Sequence, residues 1–260
     1  MLVIALVFIF GLIVGSFLNV VIFRLHRQES FVRGYSKCLF CGHRLYAQDL
    51  VPLFSYIFLR GHCRYCRHRF SAQYPLVELS TAILFPLIFI KFIPGDWHLI
   101  VSQNILGLLF AWILTAFLTI IFVYDLKYYL ILDAVVLPAI ILALVFNLLL
   151  GANFINLFLA GLFGAGIFFL QFAISKGTWI GGGDIRLGFL MGAVLGWPEV
   201  GIALFLAYIL GGAYSLGLLL TGKKHLSDKV AFGTFLSLAT FITMLYGQTI
   251  LTWYISLLVG

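Results

Sequence analysis

The sequence predicts an all-α polytopic membrane protein with one small polar domain between its first two spans. Three observations carry this. The chain is 63% hydrophobic with a mean hydropathy of +1.13, and only 10% of its residues are charged, against about 25% in a soluble domain. Its apolar residues gather into about eight segments, near 1–23, 74–93, 101–124, 134–151, 155–174, 185–197, 199–220 and 232–259. Several are long enough to cross a hydrocarbon core of about 30 Å. Between the first two lies a strongly polar stretch, residues 24–73, which holds all four cysteines. The net charge of +7 reads as loops facing an anionic cytoplasmic leaflet. Membrane lipid is the expected partner, and nucleic acid is not.

The first segment lacks a preceding basic region and a following small-residue cleavage site, and Arg24 and Arg27 come directly after it. It reads as a retained span and not as a removed signal peptide. The polar stretch then carries Cys38-x-x-Cys41 and Cys63-x-x-Cys66. Each pair can offer two thiolates to one ion, and two pairs complete a tetrahedral site. The 21 intervening residues lie just past the usual window of roughly 15–20. Structural zinc is the expectation; two disulfides are the alternative, and they would need an oxidising compartment.

About fifty residues is the size at which a metal staple becomes useful. The core of the domain is expected to be Leu39, Phe40, Leu45, Tyr46, Leu53, Phe54, Tyr56 and Tyr65, packed over the two knuckles and the membrane face. His43, His62 and His68 could replace a thiolate, although solvated loop positions suit them better. No repeat of fixed period is visible. The full expectation is therefore about eight transmembrane helices plus a small cytoplasmic zinc-binding domain between the first and second helices.

The later spans are placed by their charges. If residues 24–73 are cytoplasmic, then Lys127, Lys176, Arg186 and the Lys223, Lys224, Lys229 cluster share that side, and only Lys91 lies opposite. This obeys the positive-inside rule and turns both termini outward. The segment at 185–197 is short, and its Gly188, Gly192 and Gly196 are expected to pack tightly against neighbours.

Acidic residues within or beside spans are expensive and point to function. The candidates are Glu78, Asp125, Asp133 and Asp184. Asp125 closes the third span and Asp184 opens the sixth, so the topology brings both to the same side of the membrane. Two close carboxylates hold one proton between them. One can then take a proton from water while the other protonates a carbonyl oxygen. Gly181, Gly182 and Gly183 precede Asp184 and would allow an irregular loop and a close substrate approach.

Structural roles compete with these. Asp184 could cap its helix, Asp125 could pair with Lys127 or Arg186, and Asp133 is expected to cap the fourth span. Glu78 could pair with a loop arginine or serve a second activity. A proton-relaying transporter and a zinc-stapled scaffold are the readings from other functional classes; the lack of a visible inverted repeat weighs against the former.

Several runs resemble the type IV prepilin peptidases. Gly15-Ser16-Phe17-Leu18-Asn19-Val20-Val21-Ile22 is closed by Arg24-Leu25. Cys38-Leu39-Phe40-Cys41-Gly42-His43 is followed by Leu59-Arg60-Gly61-His62-Cys63-Arg64-Tyr65-Cys66 and by Tyr74-Pro75-Leu76-Val77-Glu78-Leu79. Asp125-Leu126 stands eight residues before Asp133, and Gly181-Gly182-Gly183-Asp184 forms a G-x-G-D element. The resemblance covers nearly the whole chain.

It implies a bifunctional enzyme of the bacterial inner (cytoplasmic) membrane. Such an enzyme cuts the basic leader from prepilins or pseudopilins, then N-methylates the new terminus, usually phenylalanine, with S-adenosyl-L-methionine. The family's catalytic aspartates map onto Asp125 and Asp184, and its zinc ligands onto Cys38, Cys41, Cys63 and Cys66. Glu78 is the candidate for methyl transfer. The implied domains are a first transmembrane helix (1–23), a cytoplasmic zinc-knuckle domain (24–73) and a transmembrane aspartic peptidase domain (74–260). Leu132 stands where the family usually has proline, and Arg186 where lysine is common. A peptidase without methyl transfer is the nearest alternative. Glu29, Asp49 or lipid headgroups are the expected contact for a basic leader, because the basic loop would not attract it.

Overall fold

A computed structural model describes residues 1–30, 32–93, 102–222 and 230–259. The Lys223, Lys224 and Lys229 cluster lies outside the described residues. Among those described, the chain is helical apart from turns and two isolated antiparallel bridges. It divides into two compact units, Met1–Ile100 and Val101–Gly260.

In the first unit, α1 (Leu2–Arg27) packs along α3 (Gln73–Phe92), with a short α2 (Phe54–Phe58) in the polar stretch between them. Small residues set how closely the two long helices approach. A Cβ on Gly11 would lie 2.7 Å from the Thr81 carbonyl oxygen and 2.8 Å from the Ala82 Cα, and one on Gly15 would lie 2.7 Å from the Glu78 Cα. This is backbone against backbone, the contact that replaces hydrophobic association inside a bilayer. Asn19, buried in α1, donates to the Tyr74 carbonyl at 3.0 Å and so meets its polar need within the pair.

The second unit holds α4 (Ser102–Tyr128), α5 (Asp133–Leu149), α6 (Phe154–Ser175), α7 (Gly182–Leu195), α8 (Glu199–Leu220) and α9 (Phe232–Val259). Helix α7 is its centre, contacting α5, α6, α8 and α9. Leu187, Leu190, Met191 and Ala193 along it are fully buried.

This is a multi-pass membrane protein, and the count of long apolar helices differs slightly from the expected eight. Six helices are long and apolar enough to cross a membrane: α1, α3, α4, α6, α8 and α9. Helix α5, at 17 residues, and α7, at 14, rise only about 26 and 21 Å at 1.5 Å per residue. A short helix is tolerated at membrane depth where protein covers its ends, and α7 is enclosed by its neighbours.

Gly188 and Gly192 pack α7 onto α6 as expected: Gly188 meets Gly164 and Phe168, and Gly192 meets Ala160 and Gly161. Gly196 also approaches α6, where a Cβ on it would lie 3.3 Å from Asn156 Oδ1. It ends α7 at φ +72°, a turn that glycine adopts without strain.

Two substitutions on α6 separate this packing from general helix effects. Gly164→Leu, aimed at the Gly188 backbone, is expected to destabilise the protein by about 1–3 kcal/mol. Gly166→Leu, which faces open space, should leave stability unchanged. Thermal unfolding in detergent reads both.

Candidate active site and metal centre

In the first unit, the four cysteines converge. Their Sγ atoms all lie within 4.8 Å of one another, and Cys38 Sγ is 3.9 Å from Cys66 Sγ. A tetrahedral zinc with bonds of about 2.3 Å places neighbouring sulfurs about 3.8 Å apart. All four are free thiols, so the disulfide alternative is not realised. The His68 backbone favours the Cys66 thiolate, but burial and the three neighbouring thiols outweigh it and push Cys66 up to about 12. Four sulfurs this crowded ionise together only around a cation. The group fits a metal ion.

The two knuckles are one turn used twice, a repeat that the sequence reading missed. Cys38 N–H donates to the His43 carbonyl at 2.9 Å, and Cys63 N–H to the His68 carbonyl at 2.8 Å. Bridges Lys37–Arg44 and His62–Arg69 close the two turns. Each knuckle also holds the other. Phe40 stacks on His68 at 4.2 Å, and Tyr65, at the matching position of the second knuckle, lies 3.7 Å from His43. These two histidines are stacking partners and stand outside the thiol cluster.

The expected apolar core is corrected. Leu39, Phe40, Tyr46, Phe54 and Tyr65 are exposed, whereas Cys38 and Cys63 are fully buried. With no room for a hydrophobic centre, the domain is built around its thiols.

Asp49 is likewise not free to receive a leader. It accepts from Arg64 Nε at 2.6 Å, Tyr65 OH at 3.1 Å and Tyr46 N–H at 3.2 Å. Burial would raise its carboxyl, but these bonds outweigh that and hold it below its ordinary 3.8. Glu29 is exposed just beyond α1.

Glu78 is buried in α3, and its Oε2 accepts the Leu53 N–H at 2.8 Å, with Ser16 on α1 as a second neighbour. No loop arginine pairs with it among the described residues. The buried Arg24 instead donates to the carbonyls of Ser30, Arg33 and Tyr35.

In the second unit, Asp125 lies one turn inside the end of α4, which continues to Tyr128. Its Oδ2 accepts the Thr234 N–H at 3.0 Å, from the first turn of α9. A Cβ on Gly233 would stand 2.8 Å from the same oxygen, so only glycine lets the carboxylate reach this helix end. Asp184 lies in the first turn of α7, where its Oδ2 accepts the Gly181 N–H at 3.1 Å.

Each carboxylate thus rests on a helix N-terminus, where backbone donors and the helix dipole favour negative charge. The glycines before Asp184 are not an irregular loop: Gly182 and Gly183 belong to α7 itself. A Cβ on Gly183 would lie 2.7 Å from Ile131 Cβ, and one on Gly233 would lie 2.8 Å from Ile131 Cδ1. Ile131 is therefore a common wall for both aspartates, and the Asp125 charge reaches Asp184.

Asp184 Oδ1 is buried and has no hydrogen-bond partner, an arrangement that costs free energy unless something fills it. Asp133 neither caps its helix nor joins the pair. It is the first residue of α5 and forms an ion pair with Arg186 of α7, which removes Arg186 as a partner for Asp125.

Comparison with known proteins gives the family. Residues 112–216 match the type IV leader peptidase family, and residues 9–92 match the bacterial peptidase A24 N-terminal domain. A protein of Aeromonas salmonicida (strain A449) named prepilin leader peptidase/N-methyltransferase is 35% identical over 97% of this chain and 94% of its own. The chain belongs to the type IV leader peptidase family. Another relative of the same name, from Bacillus subtilis (strain 168), is 32% identical over 98% of this chain and 99% of its own. One from Pseudomonas aeruginosa is 29% identical over 94% and 91%. No solved structure matches. The family match covers both aspartates, and the N-terminal match covers Glu78 and the four cysteines.

Elemental analysis of the purified leader-peptidase homologue is expected to find one tightly held metal ion per chain. Cys63→Ser should lose it at neutral pH. The unaltered protein should release it as the pH falls, because protons compete for the thiolates.

Proposed function

We propose that this chain is a prepilin leader peptidase and N-methyltransferase of the bacterial inner membrane, with residues 24–73 in the cytoplasm and Asp125 and Asp184 as its catalytic pair. The observation that supports the peptidase assignment best is the pair itself. Two carboxylates stand on separate helix N-termini against one apolar wall, and one buried oxygen lacks a partner. The Asp184 Oδ1 position is where a water or a substrate group would complete the site.

In this reading, the prepilin or pseudopilin enters from the bilayer as an apolar helix, its basic leader remaining cytoplasmic. The pair shares one proton. The ionised carboxylate takes a proton from the bound water as its oxygen attacks the scissile carbonyl, and the protonated partner donates to the carbonyl oxygen. As the tetrahedral centre collapses, the C–N bond breaks, the leaving amine takes a proton from the carboxyl that received one, and a diol hydroxyl returns its proton to the other carboxylate, which restores the pair. The helix termini serve this step by holding both side chains without neutralising them permanently, as an arginine would. The new amine is the product that methylation consumes.

Cys38, Cys41, Cys63 and Cys66 would hold zinc, and four thiolates would make its role structural. S-adenosylmethionine supplies the electrophilic methyl group. Glu78, a buried carboxylate with a hydroxyl neighbour, suits a cationic or hydroxyl-bearing part of such a donor. It lies in α3, bonded to Leu53 of the 24–73 domain, and is the residue assigned to methyl transfer, while α4–α9 contribute the peptidase pair. The transporter alternative is not favoured by family membership.

Purified protein, a synthetic prepilin and labelled S-adenosylmethionine test the two activities separately. Asp125→Asn and Asp184→Asn should each lower cleavage by roughly 10²–10⁴-fold while methylation of a pre-cleaved pilin continues. Glu78→Gln should do the reverse. Full cleavage by both aspartate variants would end the assignment of the pair.

A further inference from the structure

The peptidase chemistry leaves one polar pair beside the aspartates unused. Tyr208 of α8 and Gln171 of α6 lie within otherwise apolar membrane-spanning helices, and the Gln171 Nε2 donates to the Tyr208 hydroxyl. Their position follows from packing. The Tyr208 ring stacks with Phe168, 6.3 Å away, and lies 5.2 Å from Phe232. Phe168 abuts Gly188, one turn beyond Asp184 on α7. Phe232 opens α9 immediately before Gly233 and Thr234, the cradle of Asp125.

The aromatic trio therefore packs against α7 one turn beyond Asp184 and at the start of α9 beside the residues that cradle Asp125. Unlike the carboxylates, which are 4% and 8% exposed, Tyr208 is 39% exposed. A substrate could meet it before reaching the pair.

The chemistry of the pair is specific. The Tyr208 oxygen accepts from Gln171, so its own O–H remains available to donate. Gln171 retains its Oε1 acceptor and a second N–H. Together they offer donors and an acceptor along one edge, the complement of an extended peptide segment. A helical substrate has its backbone groups paired internally and must lose those bonds before its scissile peptide can be attacked. In a membrane the freed N–H and C=O groups cost several kcal/mol each unless protein meets them.

We propose that Tyr208 and Gln171 bind the backbone of the prepilin segment beside the scissile bond as it unwinds. Gln171 Oε1 accepts a substrate N–H, and Tyr208 donates to a substrate carbonyl. This rests on the peptidase reading above and adds the residues that recognise the unfolded stretch. Tyr208 and Gln171 are substrate-binding residues; the proton transfers stay with the aspartates.

The test uses the full chain in detergent and two synthetic prepilin-like peptides. One is all-amide, and the other carries an ester in place of the amide next to the scissile bond, which deletes one N–H donor. Tyr208→Phe keeps the ring stack and removes only the hydroxyl; Gln171→Leu removes the amide. Each variant should raise KM for cleavage roughly three- to tenfold with kcat unchanged, the range expected for one neutral hydrogen bond. The ester should raise KM for the unaltered enzyme and leave Gln171→Leu indifferent.

An unchanged KM in both variants, a loss confined to kcat, or an equal ester penalty in Gln171→Leu and the unaltered enzyme would each overturn the proposal while the peptidase reading stands. Failure of the unaltered enzyme to cleave either peptide would remove that reading, and this proposal with it.

Discussion

The second unit is organised by one electrostatic constraint: a carboxylate at the edge of a low-dielectric layer must be held by something other than water. The chain meets it with backbone. Asp125 takes the Thr234 N–H at 3.0 Å, and Asp184 takes the Gly181 N–H at 3.1 Å. Arg186 of α7 is engaged by Asp133 instead. Backbone donors stabilise charge without cancelling it, so the pair remains able to exchange a proton. Much of the surrounding packing follows from this need. Helix α7 is short and enclosed, which puts its N-terminus inside the unit. Gly233 has no Cβ because a carboxylate oxygen occupies that space.

The first unit solves a different problem by different means. Its polar stretch exposes the aromatic residues that would otherwise make a core, and it buries thiols. The two knuckles exchange rings across the cluster, Phe40 onto His68 and Tyr65 onto His43. Asp49 ties the second knuckle to the 3₁₀ turn Ala47–Asp49 through Arg64 and Tyr65. A thiol cluster fit for a metal ion, ring stacking and the Asp49–Arg64 ion pair take the place that apolar burial fills in a larger domain.

Much of this was legible in the sequence because the signals were local. Hydropathy placed the helices within a few residues, the paired C-x-x-C motifs located the thiol cluster, and the G-x-G-D element marked the start of α7. Features that depend on tertiary approach were not legible. Nothing in Ala231-Phe232-Gly233-Thr234 announces that it will receive a carboxylate from more than a hundred residues earlier. Asp133, read as a helix cap, proved to be the partner of Arg186, because the side chain of the first helical residue can reach across to a neighbouring helix more easily than back to its own amides. Tyr208 and Gln171 looked like ordinary membrane-helix residues until the aromatic trio set them beside the pair. The span count differs slightly from the expected eight because apolarity alone does not report length: α5 and α7 are apolar but shorter than the six long helices.

The central claim is that the two aspartates activate water directly and form no covalent bond to the substrate. A single turnover of prepilin cleavage in water enriched in heavy oxygen tests this most directly. Mass spectrometry of both products should find the label in the new carboxylate of the released leader and none in the enzyme. An unlabelled leader, with heavy oxygen appearing in Asp125 or Asp184, would mean that a carboxylate attacked the peptide itself and would contradict the account.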